Sequence, residues 1–154
     1  MAATASDCVK VTIWGHSFIR RLRDYVTTTH PDHSHNLGIT NYPCSITFQG
    51  TGGLTVSKAR RQLCAIQSTH PDIVVLDLGS NDLCDPFMMV VDLVDSLFQL
   101  GQELLESGTR LVYFLPIIPR SRAPDTTYNT RVRDFNSIMK LACANHNHFH
   151  FWVS

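Results

Sequence analysis

Three short polar loops carry the residues of this sequence whose types and spacing suit chemistry at a carbonyl group. They are Gly15-His16-Ser17, the turn from Gly50 to Gly53, and Gly79-Ser80-Asn81-Asp82. Ser17 has a hydroxyl that either caps the start of a helix, as serine often does, or projects as a nucleophile. Gly53 offers an unobstructed backbone N–H, and Asn81 offers a side-chain amide donor. A serine with two such donors has the composition of an oxyanion hole, which stabilises the charge of a tetrahedral intermediate.

These loops must be positioned by apolar, β-rich segments that alternate with longer segments of helical spacing. We predict strands over 9–14, 45–49, 73–78, 111–115 and 149–153, and helices over 18–25, 54–67, 87–106 and 126–145. The nearly continuous apolar run of 73–78 is typical of a parallel strand covered on both faces. The pattern predicts an α/β fold, a sandwich around a five-stranded parallel sheet. Loops that leave the carboxyl ends of such strands meet at one edge, so we expect the three polar loops there.

Composition and charge narrow the classes of function. The chain has 154 residues, of which 44% are hydrophobic and 17% charged, which predicts one domain with a large core. Lys+Arg and Asp+Glu both number 13, so net charge gives no general attraction to nucleic acid or anionic membrane. No apolar stretch approaches the ~18 residues of a membrane span, and the first ten residues lack a signal-peptide pattern. We expect a single domain over 1–154, without membrane association, in the cytoplasm or nucleus.

The order and spacing of the three loops resemble blocks I, II and III of the SGNH (GDSL-like) hydrolases. The resemblance runs from about Val9 to Val153, and Gly79-Ser80-Asn81-Asp82 after an apolar strand is its most specific element. It implies a flavodoxin-like, three-layer α/β/α sandwich and ester hydrolysis without a cofactor. Ser17 would be the nucleophile and one oxyanion donor, and the Gly53 N–H and the Asn81 amide would be the others. The form Gly-His-Ser, in place of Gly-Asp-Ser, resembles the esterase-like domains of some animal retrotransposons.

The sequence departs from this family at the catalytic histidine, which the family carries in an Asp-x-x-His block after the fifth strand. The chain ends at Ser154, so we expect the domain to be C-terminally incomplete and to lack the family's last helix. Its Asp-x-x-His run, Asp32 to His35, falls instead between the first helix and the second strand. Losing a triad member costs on the order of 10⁴ to 10⁶ in turnover. We therefore expect weak or absent hydrolysis of a small ester. The alternative is a non-catalytic binding or accessory module on the same fold, associated with nucleic acid in a retroelement protein. A missing last helix would also expose apolar surface on one face of the sheet, which favours pairing with a partner or a second copy.

Histidine and cysteine clusters favour plainer interpretations. The histidine groups are His30, His33 and His35, and His146, His148 and His150, the second of which would share one face of a strand. No cysteine or carboxylate accompanies the second group at ligand spacing, so polar surface is favoured over metal or over a substitute base for Ser17. His16 is expected to orient the Ser17 loop, because neighbouring side chains diverge. The five cysteines have no CxxC spacing, so we expect free thiols and small buried side chains in a reducing compartment.

Arginines concentrate in three short stretches that invite binding hypotheses. Arg20, Arg21, Arg23, Arg60 and Arg61 form either solvated helix faces or a modest basic patch for nucleic acid. Salt-sensitive retention on heparin distinguishes the two interpretations. After the fourth strand, Arg120 and Arg122 either meet an anionic acyl or head group or belong to a proline-stiffened surface loop.

Overall fold

The structure is a computed structural model that describes residues 8–152. Its sheet is five-stranded and all-parallel, in the order β2-β1-β3-β4-β5. The strands are β1 (Val9–Gly15), β2 (Cys44–Gly50), β3 (Ile73–Asp77), β4 (Leu111–Phe114) and β5 (Phe149–Phe151). The α-helices are α1 (Ser17–Thr29), α2 (Val56–Arg60), α3 (Leu63–Ser68), α4 (Val90–Glu106) and α5 (Tyr128–Ala144). The predicted α/β fold with a five-stranded parallel sheet is confirmed.

The segment 54–67 forms two short helices, where the sequence predicted one. Between α2 and α3, Gln62 uses its side chain for tertiary contacts. Its Oε1 accepts from Trp14 Nε1 at 2.9 Å, and its Nε2 donates to Thr51 Oγ1 at 3.0 Å. These bonds tie the helix break to β1 and to the turn after β2. The predicted last strand ends earlier, at Phe151, and Val153 lies outside the described residues.

The two faces of the sheet are covered unequally. Helices α2 to α5 pack on one face, where the largest buried side chains include Trp14, Phe114, Phe135 and Phe149. On the other face, α1 covers β1 and β2 through a small cluster of Ile19, Ile46 and Phe48. Across β3, β4 and β5 on that face, Val75, Tyr113 and His150 are aligned in register and half-buried. Tyr113 and His150 stack at 5.0 Å between ring centroids. Within residues 8–152, helices therefore cover only part of this second face.

Two glycines allow α1 to begin directly against the edge of the sheet. A Cβ on Gly50 would lie 2.2 Å from the backbone nitrogen of Arg20, and one on Gly15 would lie 2.5 Å from the carbonyl oxygen of Asp77. Glycine is required at such a close backbone approach. The first turn of α1 is thereby brought against the carboxyl ends of β1, β2 and β3. None of the helices between residues 8 and 152 combines the length and apolar character needed to cross a membrane.

Candidate active site

The carboxyl edge of the sheet brings Ser17 and Asn81 together in a cavity of about 560 Å³. Ser17 comes from the start of α1, immediately after β1, and Asn81 comes from the turn that follows β3. Gly53 does not line this cavity, although Asn81 Nδ2 donates to the carbonyl oxygen of the adjacent Leu54 at 3.1 Å. The structure therefore unites two of the three predicted site residues in one cavity and places the third beside them.

His16, and not Ser17, caps α1, which corrects the capping interpretation of Ser17. The Nδ1 atom of His16 accepts from the Phe18 N–H at 3.3 Å. The proton of its neutral imidazole then resides on Nε2, which lies 3.3 Å from Asp77 Oδ2. His16 thus orients the loop as expected, and neither ring nitrogen remains to accept a proton from Ser17. Ser17 is the first helical residue, and its hydroxyl is free of the capping role.

The Ser17 hydroxyl has one neighbour that bears on its chemistry. Arg21, one helical turn further along α1, places Nη2 at 3.5 Å from Ser17 Oγ. A guanidinium donor at this position favours negative charge on the oxygen, as does the N-terminal end of α1. Among residues 8–152, the backbone N–H of Ser17 has no hydrogen-bond partner, so it is available to an oxyanion. Arg21 was not assigned this position from the sequence, although its i+4 spacing from Ser17 was a readable signal.

The other histidines lie away from the cavity. Asp32 and His35 follow the far end of α1, whose 13 residues extend about 20 Å from Ser17. His146 and His148 precede β5, so the predicted sharing of a strand face with His150 is wrong. His146 instead stacks flat on Phe149 at 3.9 Å, and its Nδ1 accepts from the backbone N–H groups of His148 and Phe149. Within the described part of the chain, no three His, Cys, Asp or Glu side chains are arranged to hold a metal ion.

The Gly53 turn is held by a buried carboxylate. Both oxygens of Asp82 accept from the Val56 N–H at the start of α2, at 3.2 and 3.3 Å. Asp82 is 7% exposed, and this burial raises the pKa of its carboxyl, opposed in part by the Val56 hydrogen bond. Gly53 itself has a φ of +70°, a conformation that glycine adopts without strain. Asp82 therefore links the turn after β3 to the turn that presents the Gly53 N–H.

The loop after β4 forms a fixed wall of the cavity. On α5, the side chain of Asn136 bonds both the N–H and the C=O of Ile117, each at 2.9 Å. Asn129 bonds the N–H and the C=O of Arg120 in the same way, at 2.8 and 2.7 Å. The two asparagines are seven residues apart on α5, which is about 10 Å along a helix. Ile117 and Arg120 are three residues apart, which is also about 10 Å in extended chain, so both pairs of hydrogen bonds form along the same stretch of loop. Sequence reasoning missed both asparagines, since nothing local to α5 signals their partners.

The remaining sequence predictions concern arginines and cysteines. Arg23 pairs with Asp24 on its own helix, and Arg60 pairs with Glu103 on α4 at 2.7 Å. The nucleic-acid role of the five arginines stays a prediction. All five cysteines are free thiols, but only Cys143 is buried and Cys64 is exposed, so the expectation of buried side chains is wrong for Cys64. Cys64 lies on the outer side of the short helix α3, away from the core.

The all-parallel five-stranded sheet, with a cavity lined by Ser17 at its carboxyl edge, is the α/β architecture that the sequence predicted. The chain belongs to the family of the GDSL-like lipase/acylhydrolases, whose model matches residues 5–152. No curated protein sequence matches the chain. Among solved structures it is similar to a GDSL-like lipase from Bacteroides thetaiotaomicron, with a TM-score of 0.71, 15% identity and coverage of 98% of this chain and 71% of that one.

Two further solved structures have a similar fold. One is TesA, with a TM-score of 0.64, 18% identity and coverage of 86% of this chain and 73% of that one. The other is the psychrotrophic esterase EstA from Pseudoalteromonas sp., in a structure inhibited by monoethylphosphonate. Its TM-score is 0.67 at 14% identity, with 93% of this chain and 76% of that one covered. At these identities the likeness concerns the fold, and it matches the architecture that the resemblance implied.

Proposed function

We propose that this chain is an acyl-ester hydrolase domain in which Ser17 is the nucleophile. The position of Ser17 carries the proposal, because its hydroxyl is relieved of capping by His16 and faces the same cavity as Asn81. Ser17 Oγ attacks the ester carbonyl carbon and releases its proton to solvent. The Ser17 N–H and the Asn81 amide N–H that is not bonded to Leu54 hold the resulting oxyanion, and the Gly53 N–H, from the turn beside the cavity, is the third proposed donor. The ester C–O bond then breaks, the alcohol leaves with a proton, and water hydrolyses the acyl group from Ser17.

We expect this hydrolysis to be slow in the chain as given. Within residues 8–152, no histidine nitrogen is available to Ser17, since His16 is committed to Phe18 and Asp77. Oxyanion stabilisation and substrate binding alone retain about 10³- to 10⁴-fold acceleration over water. A small ester as substrate and a cytoplasmic or nuclear location are parts of the same proposal, and the five free thiols accord with a reducing compartment.

The test compares hydrolysis of p-nitrophenyl butyrate by the unaltered chain, Ser17→Ala and Ser45→Ala. Ser45 is exposed on β2 and serves as the matched serine control. We expect Ser17→Ala to abolish the rate above background and Ser45→Ala to leave it unchanged. Equal rates for all three proteins would overturn the assignment of Ser17. Intact mass after incubation with a fluorophosphonate gives a second readout, with one adduct expected and none in Ser17→Ala.

The alternative is a non-catalytic module that keeps the cavity and binds without turnover. The commitment of both His16 nitrogens is the observation that favours it. Intact mass after incubation with a fluorophosphonate distinguishes the two functions, because a binding module forms no acyl or phosphonyl adduct at Ser17. Absence of both turnover and adduct, in a chain that is folded by circular dichroism, would select the binding module.

A further inference from the structure

Two arginine side chains without a carboxylate partner line the cavity that holds Ser17. Arg21 projects from α1, and Arg120 projects from the loop after β4. Within residues 8–152, neither guanidinium takes part in an ion pair. Asp77 supplies the only carboxylate of the described lining, and it faces His16 at 3.3 Å. The cavity therefore has an excess of positive charge beside the proposed nucleophile.

Arg120 is held in position but is not neutralised. Its backbone is clasped by Asn129, and its guanidinium lies over the Tyr128 ring at 5.0 Å from the centroid. One nitrogen, Nη1, lies 3.4 Å from Cys84 Sγ. A ring face and a sulfur atom are weak acceptors for a group that carries five N–H donors. Arg120 thus retains donors that a bound anion would satisfy.

Arg131, which also contacts the turn after β3, differs from Arg120 in having a carboxylate partner. Arg131 donates to the Leu83 carbonyl oxygen at 2.8 Å and to Asp125 Oδ2 at 3.2 Å, which satisfies its charge. Ser80 in the wall of the cavity also lacks a partner, since its buried Oγ has no hydrogen bond among the described residues. A half-buried cation without a carboxylate partner and a buried hydroxyl without a hydrogen bond are both costly unless a ligand completes them.

We propose that this cavity takes an ester that carries a second, anionic group, a carboxylate or a phosphate, which Arg120 and Arg21 bind. That the ligand is an ester rests on the proposed function, whereas that it carries an anionic group rests on the two arginines. Ile118 and Trp152 line the same cavity and are exposed, so they provide apolar contact for the carbon chain between the two groups.

The test measures binding without turnover, in the Ser17→Ala chain, by isothermal titration calorimetry. Monomethyl glutarate is the anionic probe, and dimethyl glutarate is its neutral counterpart of similar size. We expect the anionic probe to bind at least about tenfold more tightly, and increasing salt to weaken it. Methyl phosphate is the second anionic probe, and its affinity relative to monomethyl glutarate distinguishes a phosphate from a carboxylate as the preferred group.

Arginine variants locate the site. Arg120→Gln is expected to weaken binding of the anionic probe by about tenfold or more, while Arg120→Lys retains part of it. Arg122→Gln is the matched control, because Arg122 is exposed in the same loop and does not line the cavity. Equal binding of the two glutarate esters, no binding of either anion, or an equal loss in Arg122→Gln would overturn the proposal. Failure of p-nitrophenyl butyrate hydrolysis would instead overturn only the role of Ser17.

Discussion

His16 makes two interactions that hold the first turn of α1, and its replacement by alanine removes both. Its Nδ1 caps the Phe18 N–H, and its Nε2 faces the carboxylate of Asp77 at 3.3 Å. Loss of an N-cap costs about 1 kcal/mol, and loss of a contact between an imidazole and a carboxylate costs about 1 kcal/mol more. The side chains of His16 and Asp77 are only 17% and 14% exposed, so solvent screens their interaction weakly. We therefore expect His16→Ala to lower the free energy of unfolding by about 2 kcal/mol.

Urea denaturation followed by circular dichroism measures this loss, and a second variant divides it. His16→Asn keeps a capping oxygen but is too short to replace the contact with Asp77, so it should lose about half as much. His35→Ala is the control, because His35 has an exposed side chain on the loop that follows α1. An equal loss in the Ala and Asn variants would refute the cap, and a loss in His16→Ala no larger than in His35→Ala would refute both interactions.

Three other perturbations follow from burial and titration. Burial raises the pKa of Asp82, so the folded chain keeps its proton to higher pH than the unfolded chain does. The free energy of unfolding then falls as pH rises from about 4 through the raised pKa. Asp82→Asn keeps an acceptor for the Val56 N–H and should remove this dependence of the free energy of unfolding on pH. Urea titrations at a series of pH values measure it, and the same dependence in the variant and the unaltered chain would contradict the prediction. Burial, with the charges of nearby His148 and His150, lowers the pKa of His146, so stability should be lost as pH falls below about 6.5. His146→Asn should lack this acid dependence, which the same titrations measure. Burial raises the pKa of Cys143 to about 11, so Ellman's reagent should modify exposed Cys64 quickly and Cys143 only after unfolding, and equal rates would refute this.

Self-association stays a prediction with a structural basis. The row of Val75, Tyr113 and His150 is half-buried on the sheet face that α1 does not reach. Light scattering across a concentration series checks it, and a molecular mass that stays monomeric throughout would contradict it.

The sequence was sufficient for the fold and for the approximate location of the site. The apolar run of β3 indicates a strand covered on both faces, and its alternation with helices indicates a parallel sheet. In a parallel sheet the loops after the strands share one edge, so Ser17 and Asn81 had to approach each other once the topology was known. These inferences depend on periodicity and chain direction, which are properties of local sequence.

Tertiary structure decided the contacts around the candidate site. The choice of His16 over Ser17 as the cap depends on Asp77, which is 61 positions away and fixes the ring from the other side. The break between α2 and α3 depends on Trp14 reaching Gln62, and the position of Arg120 depends on Asn129 of α5. The sequence contains several residues that could form a hydrogen bond with each of these side chains. Only the packed backbone sets the distances at which one partner is reached and the others are not, because hydrogen bonds weaken steeply with distance and angle.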